Sequence, residues 1–201
     1  MDSPAYVQKY VIVHFLQTTP DGAHFAAKDW PLHITLASNF QIARQEVNLL
    51  EKLATFAKNH TSVATTAADD AHFGPNQEVL VTTFNVPPQL QKLHEDLIKL
   101  LKENDAIFDT PEYLESGFRP HATVQQNVRA NRGNTVIISD FALVDMFPNS
   151  DANYRRIMQT FSLRNKFVEE TAQAVEEYRS GINVSPAFTN AADVDNFLSR
   201  L

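Results

Sequence analysis

Two short stretches with the same plan constrain this chain more than any other feature of its sequence. They are Trp30–Leu36, which reads WPLHITL, and Phe118–Val124, which reads FRPHATV. Each has an aromatic residue and a proline, followed by histidine, an apolar residue, threonine and a second apolar residue. Because side chains alternate between the two faces of a strand, each stretch predicts a strand that is apolar on one face. The other face carries an imidazole and a hydroxyl about 7 Å apart.

The residues around each His-x-Thr pair support this prediction. His33 and Thr35 share one face of the first strand, and His121 and Thr123 share one face of the second. The proline just upstream of each pair favours an extended conformation in the residue before it, as the entry to a strand requires. If the two strands face each other, they hold a phosphate between two imidazoles and two hydroxyls.

With this arrangement the chain resembles the two-histidine (2H) phosphoesterase superfamily, which includes RNA 2′,3′-cyclic phosphodiesterases and the 2′-5′ RNA ligase-like proteins. The resemblance covers roughly residues 5–164, with an amphipathic helix after the first motif and another before the second. It implies an α+β fold with two lobes. Each lobe is a mostly antiparallel β-sheet backed by a long helix, and the active-site cleft lies between the sheets. We expect a two-lobed phosphoesterase domain at 1–164 and a C-terminal helical extension at 165–201.

The hydrophobic pattern along the chain alternates between strand and helix periods. Strands are predicted at 6–16, 32–39, 62–73, 78–84, 121–126, 135–146 and 154–163, with a bend near Ser139. Helices are predicted at 42–60 and 87–102, a loop at 18–29 and a polar connection at 104–117. The strand at 6–16 is largely apolar on both faces, which predicts a central place in its sheet.

Composition narrows the function classes. A hydrophobic content of 43% is enough for a core, and the lack of cysteine excludes disulfides and thiolate metal sites. The net charge of −7 argues against an extended nucleic-acid footprint, because backbone binding needs clustered Lys and Arg. A nucleotide, or an RNA end bearing a cyclic phosphate, needs only a local positive site. The first apolar run, residues 11–16, is too short for a signal peptide or a membrane span, so we expect a cytoplasmic protein with no membrane partner. We also expect a monomer.

The resemblance implies a metal-independent cyclic phosphodiesterase that converts 2′,3′-cyclic phosphates to 2′-phosphates, reversible as 2′-5′ RNA ligation. His33 and His121 suit acid/base catalysis because the pKa of imidazole lies near neutral pH. Thr35 and Thr123 would hold the non-bridging oxygens, and no cofactor or metal is expected. The residues alone leave the acid and base roles open, whereas the resemblance makes His33 the acid and His121 the base.

Residues beside the two motifs are candidates for substrate binding, namely Trp30, Phe118 and Arg119. Trp30 either stacks on a base, which is worth about 1–3 kcal/mol, or covers the edge of the core. Phe73, near a turn, either lines the cleft or has a packing role, and packing is favoured.

The remaining polar candidates are predicted to be structural. His14, in an apolar strand, is more often a core or wall residue than a functional one. His72 and His94 are expected at the surface, His94 because it lies off the apolar stripe of its helix. Arg129 and Arg132, on a turn, either hold a second phosphate or lie on the surface, and the surface is favoured.

Other functions fit parts of the pattern. A non-catalytic nucleotide- or phosphate-binding module of the same fold would keep the cleft, although binding does not need two titrating groups. A hydrolase of 2′-5′ oligonucleotides would use the same pair of histidines. A metal hydrolase built on His33, His121 and a third ligand such as His14 or His72 is disfavoured, because no ligand spacing supports it.

Overall fold

The computed structural model describes residues 8–42, 47–125, 128–165 and 176. The strands are β1 (Lys9–Phe15), β2 (His24–Ala26), β3 (His33–Ile42), β4 (Val63–Phe73), β5 (Val79–Phe84), β6 (Ala106–Phe108), β7 (His121–Thr123), β8 (Thr135–Ile138), β9 (Asp140–Asp145) and β10 (Tyr154–Ser162). The helices are α1 (Val47–Asn59) and α2 (Pro88–Lys102), and short 3₁₀ turns occupy Pro111–Tyr113, Glu115–Gly117 and Pro148–Ser150. These elements belong to a unit that ends at Arg164.

The strands form two antiparallel sheets. The larger sheet has the order β2-β10-β9-β1-β3-β6 and the smaller has the order β7-β5-β4-β8. The predicted α+β fold with two mostly antiparallel sheets is therefore confirmed. The central position predicted for β1 is also confirmed, since Tyr10 and Ile12 pack into one hydrophobic cluster while Val11 and Val13 pack into another.

The two sheets meet at β3 and β7. Strand β6 pairs only with Phe40–Ile42, the last residues of β3, so among the described strands of the larger sheet nothing pairs with the first half of β3 on that side. Strand β7 is the edge strand of the smaller sheet and contacts β3. The two motif strands thus lie side by side although they belong to different sheets.

One hydrophobic core lies behind both motif strands. Ile34 and Leu36 of β3 and Ala122 of β7 are at most 1% exposed and belong to the same cluster. Helix α2 contacts β3 and β6 of the larger sheet and β4 of the smaller one, and α1 contacts β10. Full burial of one Leu or Ile side chain is worth about 1.5–3 kcal/mol, so this shared core holds the two sheets together.

The structure corrects the predicted elements in three places. The predicted loop at 18–29 contains β2, which pairs with β10, and the polar connection at 104–117 contains β6, which pairs with β3. Strands of three residues are too short to show an alternating pattern. The single strand predicted at 135–146 is two strands, β8 in the smaller sheet and β9 in the larger, and the bend near Ser139 is where the chain crosses between them.

Two predictions concern residues outside the described ranges. The first residues of the helix predicted at 42–60 include 43–46, which lie outside the described residues. The helical extension predicted at 165–201 also lies outside them, apart from residues 165 and 176, and stays a prediction. None of the helices in the described ranges has the length and apolar character that crossing a membrane requires.

A tightly folded segment leads into β7. The amide of Gly117 donates to Leu114 O at 2.9 Å, and both Leu114 and Phe118 are buried. A Cβ atom added at Gly117 would overlap the carbonyl oxygen of Glu112. Glycine therefore allows the two 3₁₀ turns to pack against each other and to deliver the chain to His121.

We predict that Gly117→Ala lowers the free energy of unfolding by about 1–3 kcal/mol, the usual cost of overpacking. It should also shift the backbone amide resonances of residues 118, 119 and 121, because relieving the overlap moves the turns. Chemical denaturation and two-dimensional NMR measure the two effects. Gly22→Ala is the control: nothing lies within 4 Å of a Cβ there, so only the strain of its positive φ should appear. Unchanged amide resonances at 118, 119 and 121 in Gly117→Ala would contradict this role of Gly117.

Candidate active site

His33 is fixed at the start of β3 on the face away from the main core. It pairs with Phe15 of β1, and the two rings lie 6.1 Å apart between centroids. The Nδ1–H group donates to Pro31 O at 2.8 Å. Because a carbonyl oxygen only accepts hydrogen bonds, this contact places the proton on Nδ1 and leaves Nε2 with the lone pair in the neutral ring.

His121 repeats this arrangement at the start of β7. Its Nδ1–H group donates to Arg119 O, also at 2.8 Å and also two residues upstream. His121 pairs with Thr83 of β5, and Thr123 pairs with Val81. The half-buried His and Thr alternate with the buried Ala122, so the predicted division of faces holds in both strands. Two histidines from different sheets thus present the same tautomer.

Burial controls the protonation of both rings. It lowers the pKa of His33 below its usual value, although the Pro31 carbonyl partly raises it, and a charge on His121 lowers it further. Burial likewise lowers the pKa of His121, partly offset by the carbonyl of Arg119. This influence of His121 on His33 acts between strands β3 and β7, which contact each other. Such a pair takes up one proton more readily than two.

An aromatic ring packs against each of these histidines. The centroid of Trp30 lies 4.5 Å from that of His33, and the centroid of Phe73 lies 4.7 Å from that of His121 in an edge-to-face contact. Trp30 also packs on the smaller hydrophobic cluster and contacts Phe25 at 5.1 Å, so it covers the core edge while touching His33. Phe73 lines the cleft and also packs on His121, so both of the roles predicted for it are present.

A cavity of about 480 Å³ opens beside His121. Its walls include four of the predicted site residues, Thr35, Phe118, Arg119 and His121, together with Leu36, Ser38, His72, Phe73, Gly74, Gln77, His94 and Tyr113. Arg119 is exposed there, and none of the described acidic side chains forms an ion pair with it. The cavity therefore combines aromatic walls with an available cation.

A second hollow of about 330 Å³ lies at the other end of the cleft. Its walls include Trp30–Leu32, which precede His33, and Gln125 and Val128, which follow Thr123. The larger cavity is lined from the other end of each motif strand. In β3 its lining residues lie between Thr35 and Ser38, after His33, and before β7 they are Phe118 and Arg119, which precede His121. Strands β3 and β7 therefore run in opposite directions along the cleft, with the two His-x-Thr pairs between the two hollows.

His94 contradicts its predicted surface location. It is only 1% exposed and belongs to the wall of the larger cavity. Its Nδ1–H group donates to Leu36 O at 2.7 Å, its Nε2 accepts from the amide of Glu115 at 2.8 Å, and its ring stacks on Phe118. The apolar stripe of α2 gave no indication of this, because the partners are backbone groups that only the folded chain brings together.

The other polar candidates are His14, His72, Arg129 and Arg132, and three of them bind carboxylate groups. His14 is buried and contacts Asp140, as expected of a wall residue, and His72 is exposed although it reaches the cavity wall. Arg129 pairs with Asp70 and Arg132 pairs with Asp69 at 2.6 Å. Both arginines are thus already paired with carboxylates of β4.

Within the described ranges, no three His, Asp or Glu side chains converge as metal ligands would. The set considered for a metal hydrolase, the two motif histidines with His14 or His72, consists of described residues and forms no such group.

Comparisons with known proteins concern the family and the fold of this chain. A family model described as the 2′-5′ RNA ligase superfamily matches residues 13–141, which is well over half of the chain and includes both motifs. No curated protein matches. E. coli LigT complexed with 3′-AMP is similar at 16% identity over 79% of this chain and 99% of that chain, with a TM-score of 0.50. The protein TT0787 of Thermus thermophilus is 18% identical over 79% and 99%, with a TM-score of 0.49.

At such identities, the likeness to solved structures concerns the fold alone. The family is established by the sequence model, which spans both His-x-Thr pairs and most of the two sheets that carry them. The family predicted from the two motifs is thereby confirmed: the chain belongs to the 2′-5′ RNA ligase superfamily of two-histidine phosphoesterases.

Proposed function

We propose that the protein is a metal-independent phosphodiesterase that opens 2′,3′-cyclic phosphates of nucleosides or RNA ends to 2′-phosphates. One observation carries this proposal. His33 and His121 start two strands, β3 and β7, that belong to different sheets and contact each other, and each histidine donates Nδ1–H to a carbonyl at 2.8 Å. Held in this way, a neutral imidazole can take a proton from the attacking water, and a protonated imidazole can give a proton to the leaving oxygen of the same phosphate.

The reaction needs one proton acceptor and one proton donor. In the assignment that we adopt, Nε2 of neutral His121 takes a proton from the attacking water as the new P–O bond forms. Nε2–H of protonated His33 gives its proton to the leaving 3′-oxygen as the P–O3′ bond breaks. The 2′-phosphate remains, and the proton count balances because one imidazole gains what the other loses. Acid/base catalysis of this kind contributes about 10²–10⁴-fold.

The threonines and Arg119 supply the phosphate contacts in this proposal. Thr35 and Thr123 lie two residues after the histidines on the same strand faces, where their hydroxyls can donate to the non-bridging oxygens. Arg119 is exposed in the wall of the same cavity, and its guanidinium suits a phosphate oxygen pair. Charge-assisted hydrogen bonds of this type are about twice as strong as neutral ones.

A nucleotide fits the larger cavity in size and in the chemistry of its walls. Phe73, Phe118 and Tyr113 line it, and stacking of a base on an aromatic ring is worth about 1–3 kcal/mol. LigT, which has the same fold, has been solved with 3′-AMP. The net charge of −7 favours a nucleotide or one RNA end over a long nucleic acid.

The same groups run in reverse would join a 2′-hydroxyl to a cyclic phosphate, as the family description suggests. The two hollows on opposite sides of the histidines, of about 480 and 330 Å³, give room for a group on each side of the phosphorus. A 2′-5′ diester is therefore the second substrate to test.

We expect purified protein to convert a 2′,3′-cyclic nucleotide to the 2′-phosphate in the presence of EDTA, followed by ³¹P NMR. His33→Ala and His121→Ala should each lower kcat by about 10²-fold or more, because each removes a proton-transfer group. His24→Ala, an exposed histidine on β2, is the control and should turn over like the wild type.

Three outcomes of this assay would each contradict one part of the proposal. Full activity in either folded motif variant rejects the two-histidine mechanism, and loss of activity with EDTA rejects metal independence. If the wild type binds the nucleotide saturably but forms no product from the cyclic or the 2′-5′ substrate, the protein is the binding module instead.

The pH profile gives a second prediction. Both histidines have a pKa below the usual value of 6.5, so both are neutral well above it and neither can act as the acid. As the pH falls, one ring takes up a proton and the pair becomes competent, and at still lower pH the second protonation removes the base. We therefore expect a bell-shaped kcat/KM with its maximum below about pH 6.5. A maximum on the alkaline side of neutrality would contradict this.

A further inference from the structure

His94 is a buried titratable group in the wall of the larger cavity, and the proposed reaction does not use it. Its side chain is 1% exposed, and both ring nitrogens bind backbone groups of other elements. Nδ1–H donates to Leu36 O of β3 at 2.7 Å, and Nε2 accepts from the amide of Glu115, in the second 3₁₀ turn, at 2.8 Å. One side chain of α2 thus connects β3 to the segment that leads into β7.

These contacts involve the last residue of the first motif and the first residue of the second, close to the two His-x-Thr pairs. Leu36 follows Thr35, and Phe118, on which the His94 ring stacks at 4.0 Å with an interplanar angle of 6°, precedes Arg119. The carbonyl of Arg119 is the group that orients His121. From His94 to His121 the path therefore runs through one stacked ring and one residue of backbone.

The segment that His94 holds is conformationally demanding. Glu115 has a positive φ of 53°, which non-glycine residues seldom adopt, and Gly117 leaves no room for a Cβ atom. Gln91 of α2 also binds this segment, through Nε2 to Glu115 O at 2.8 Å. A strained conformation persists only where its surroundings fix it, and the hydrogen bonds from α2 do so here.

We infer that His94 is a positioning residue, which holds the 115–119 segment against β3 and thereby sets the place of His121 relative to Thr35. This rests on the proposed function only for its kinetic consequence, since the geometric role stands without turnover. The arrangement requires the neutral ring, because a protonated Nε2 cannot accept from the Glu115 amide. Burial, the larger influence, lowers the pKa of His94, while Glu95 and Glu115 act in the opposite direction.

The chain offers a matched control in His60. Its Nδ1–H group also donates to a backbone carbonyl, that of Phe56, at 2.8 Å, and its ring also stacks on Phe56, at 3.8 Å. Its Nε2 contacts Asp96 at 3.0 Å. None of these partners adjoins a His-x-Thr pair in sequence, so His60 has the same kind of local contacts without the connection to the site.

The test uses two substitutions that separate the two hydrogen bonds. His94→Asn places an amide where Nδ1 was and keeps the donor to Leu36 O, whereas His94→Gln can reach the Glu115 amide but loses Leu36. With the 2′,3′-cyclic nucleotide we expect each to lower kcat by about 10- to 100-fold, the effect of a displacement of about 1 Å, and to change KM less than kcat. Ring-nitrogen NMR resonances of His121 should shift in both variants, and His60→Asn should change neither.

The outcomes separate this inference from the proposed function. If the wild type shows no turnover, the proposed function fails, and the His121 resonances still test the positioning role. Folded His94 variants with wild-type kcat and unchanged His121 resonances overturn it. If both variants unfold, the wild type is titrated instead. Besides the step of its own protonation, His121 should then show a second step at the midpoint of His94, and a His94 step without this second step in His121 overturns the inference.

Discussion

The site depends on the packing of two strands from different sheets over one hydrophobic core. Ile34 and Leu36 behind the first His-x-Thr pair and Ala122 behind the second share that core. Because side chains alternate along a strand, burying these residues forces the His and Thr of both strands onto the opposite face. The core therefore fixes both the closeness of β3 and β7 and the direction in which their polar side chains leave the backbone.

Local hydrogen bonds then define the chemistry of each histidine. His33 and His121 both bind the carbonyl two residues upstream, so the choice of tautomer comes from the backbone and not from a carboxylate. A carboxylate partner would favour the charged ring more strongly than a carbonyl does. With a carbonyl on Nδ1, burial remains the stronger influence, and both rings stay neutral at neutral pH.

Sequence alone predicts the two motif strands better than the side chains that surround them. The motif strands, the helix α2 and the division of faces follow from period-two and helical patterns, which depend only on neighbouring residues. The surface location predicted for His94 is wrong because its environment is made by groups distant in sequence, Leu36 O and the Glu115 amide. The crossing of the chain from β8 to β9 was visible only as a bend, since both strands are apolar whichever sheet they join.

Few positive charges face the cleft while it is empty, because its two motif histidines are neutral. Arg129 is paired with Asp70 of β4, whereas Arg119 is exposed in the wall of the larger cavity. Burial keeps the two imidazoles neutral, so a resting site of this kind carries little charge of its own. An anionic phosphate placed between them would favour the protonated ring, since a nearby opposite charge raises the pKa of an imidazole. The substrate itself would thus help to create the acid that its own leaving group needs, and the protein would not have to hold a buried cation when the cleft is empty.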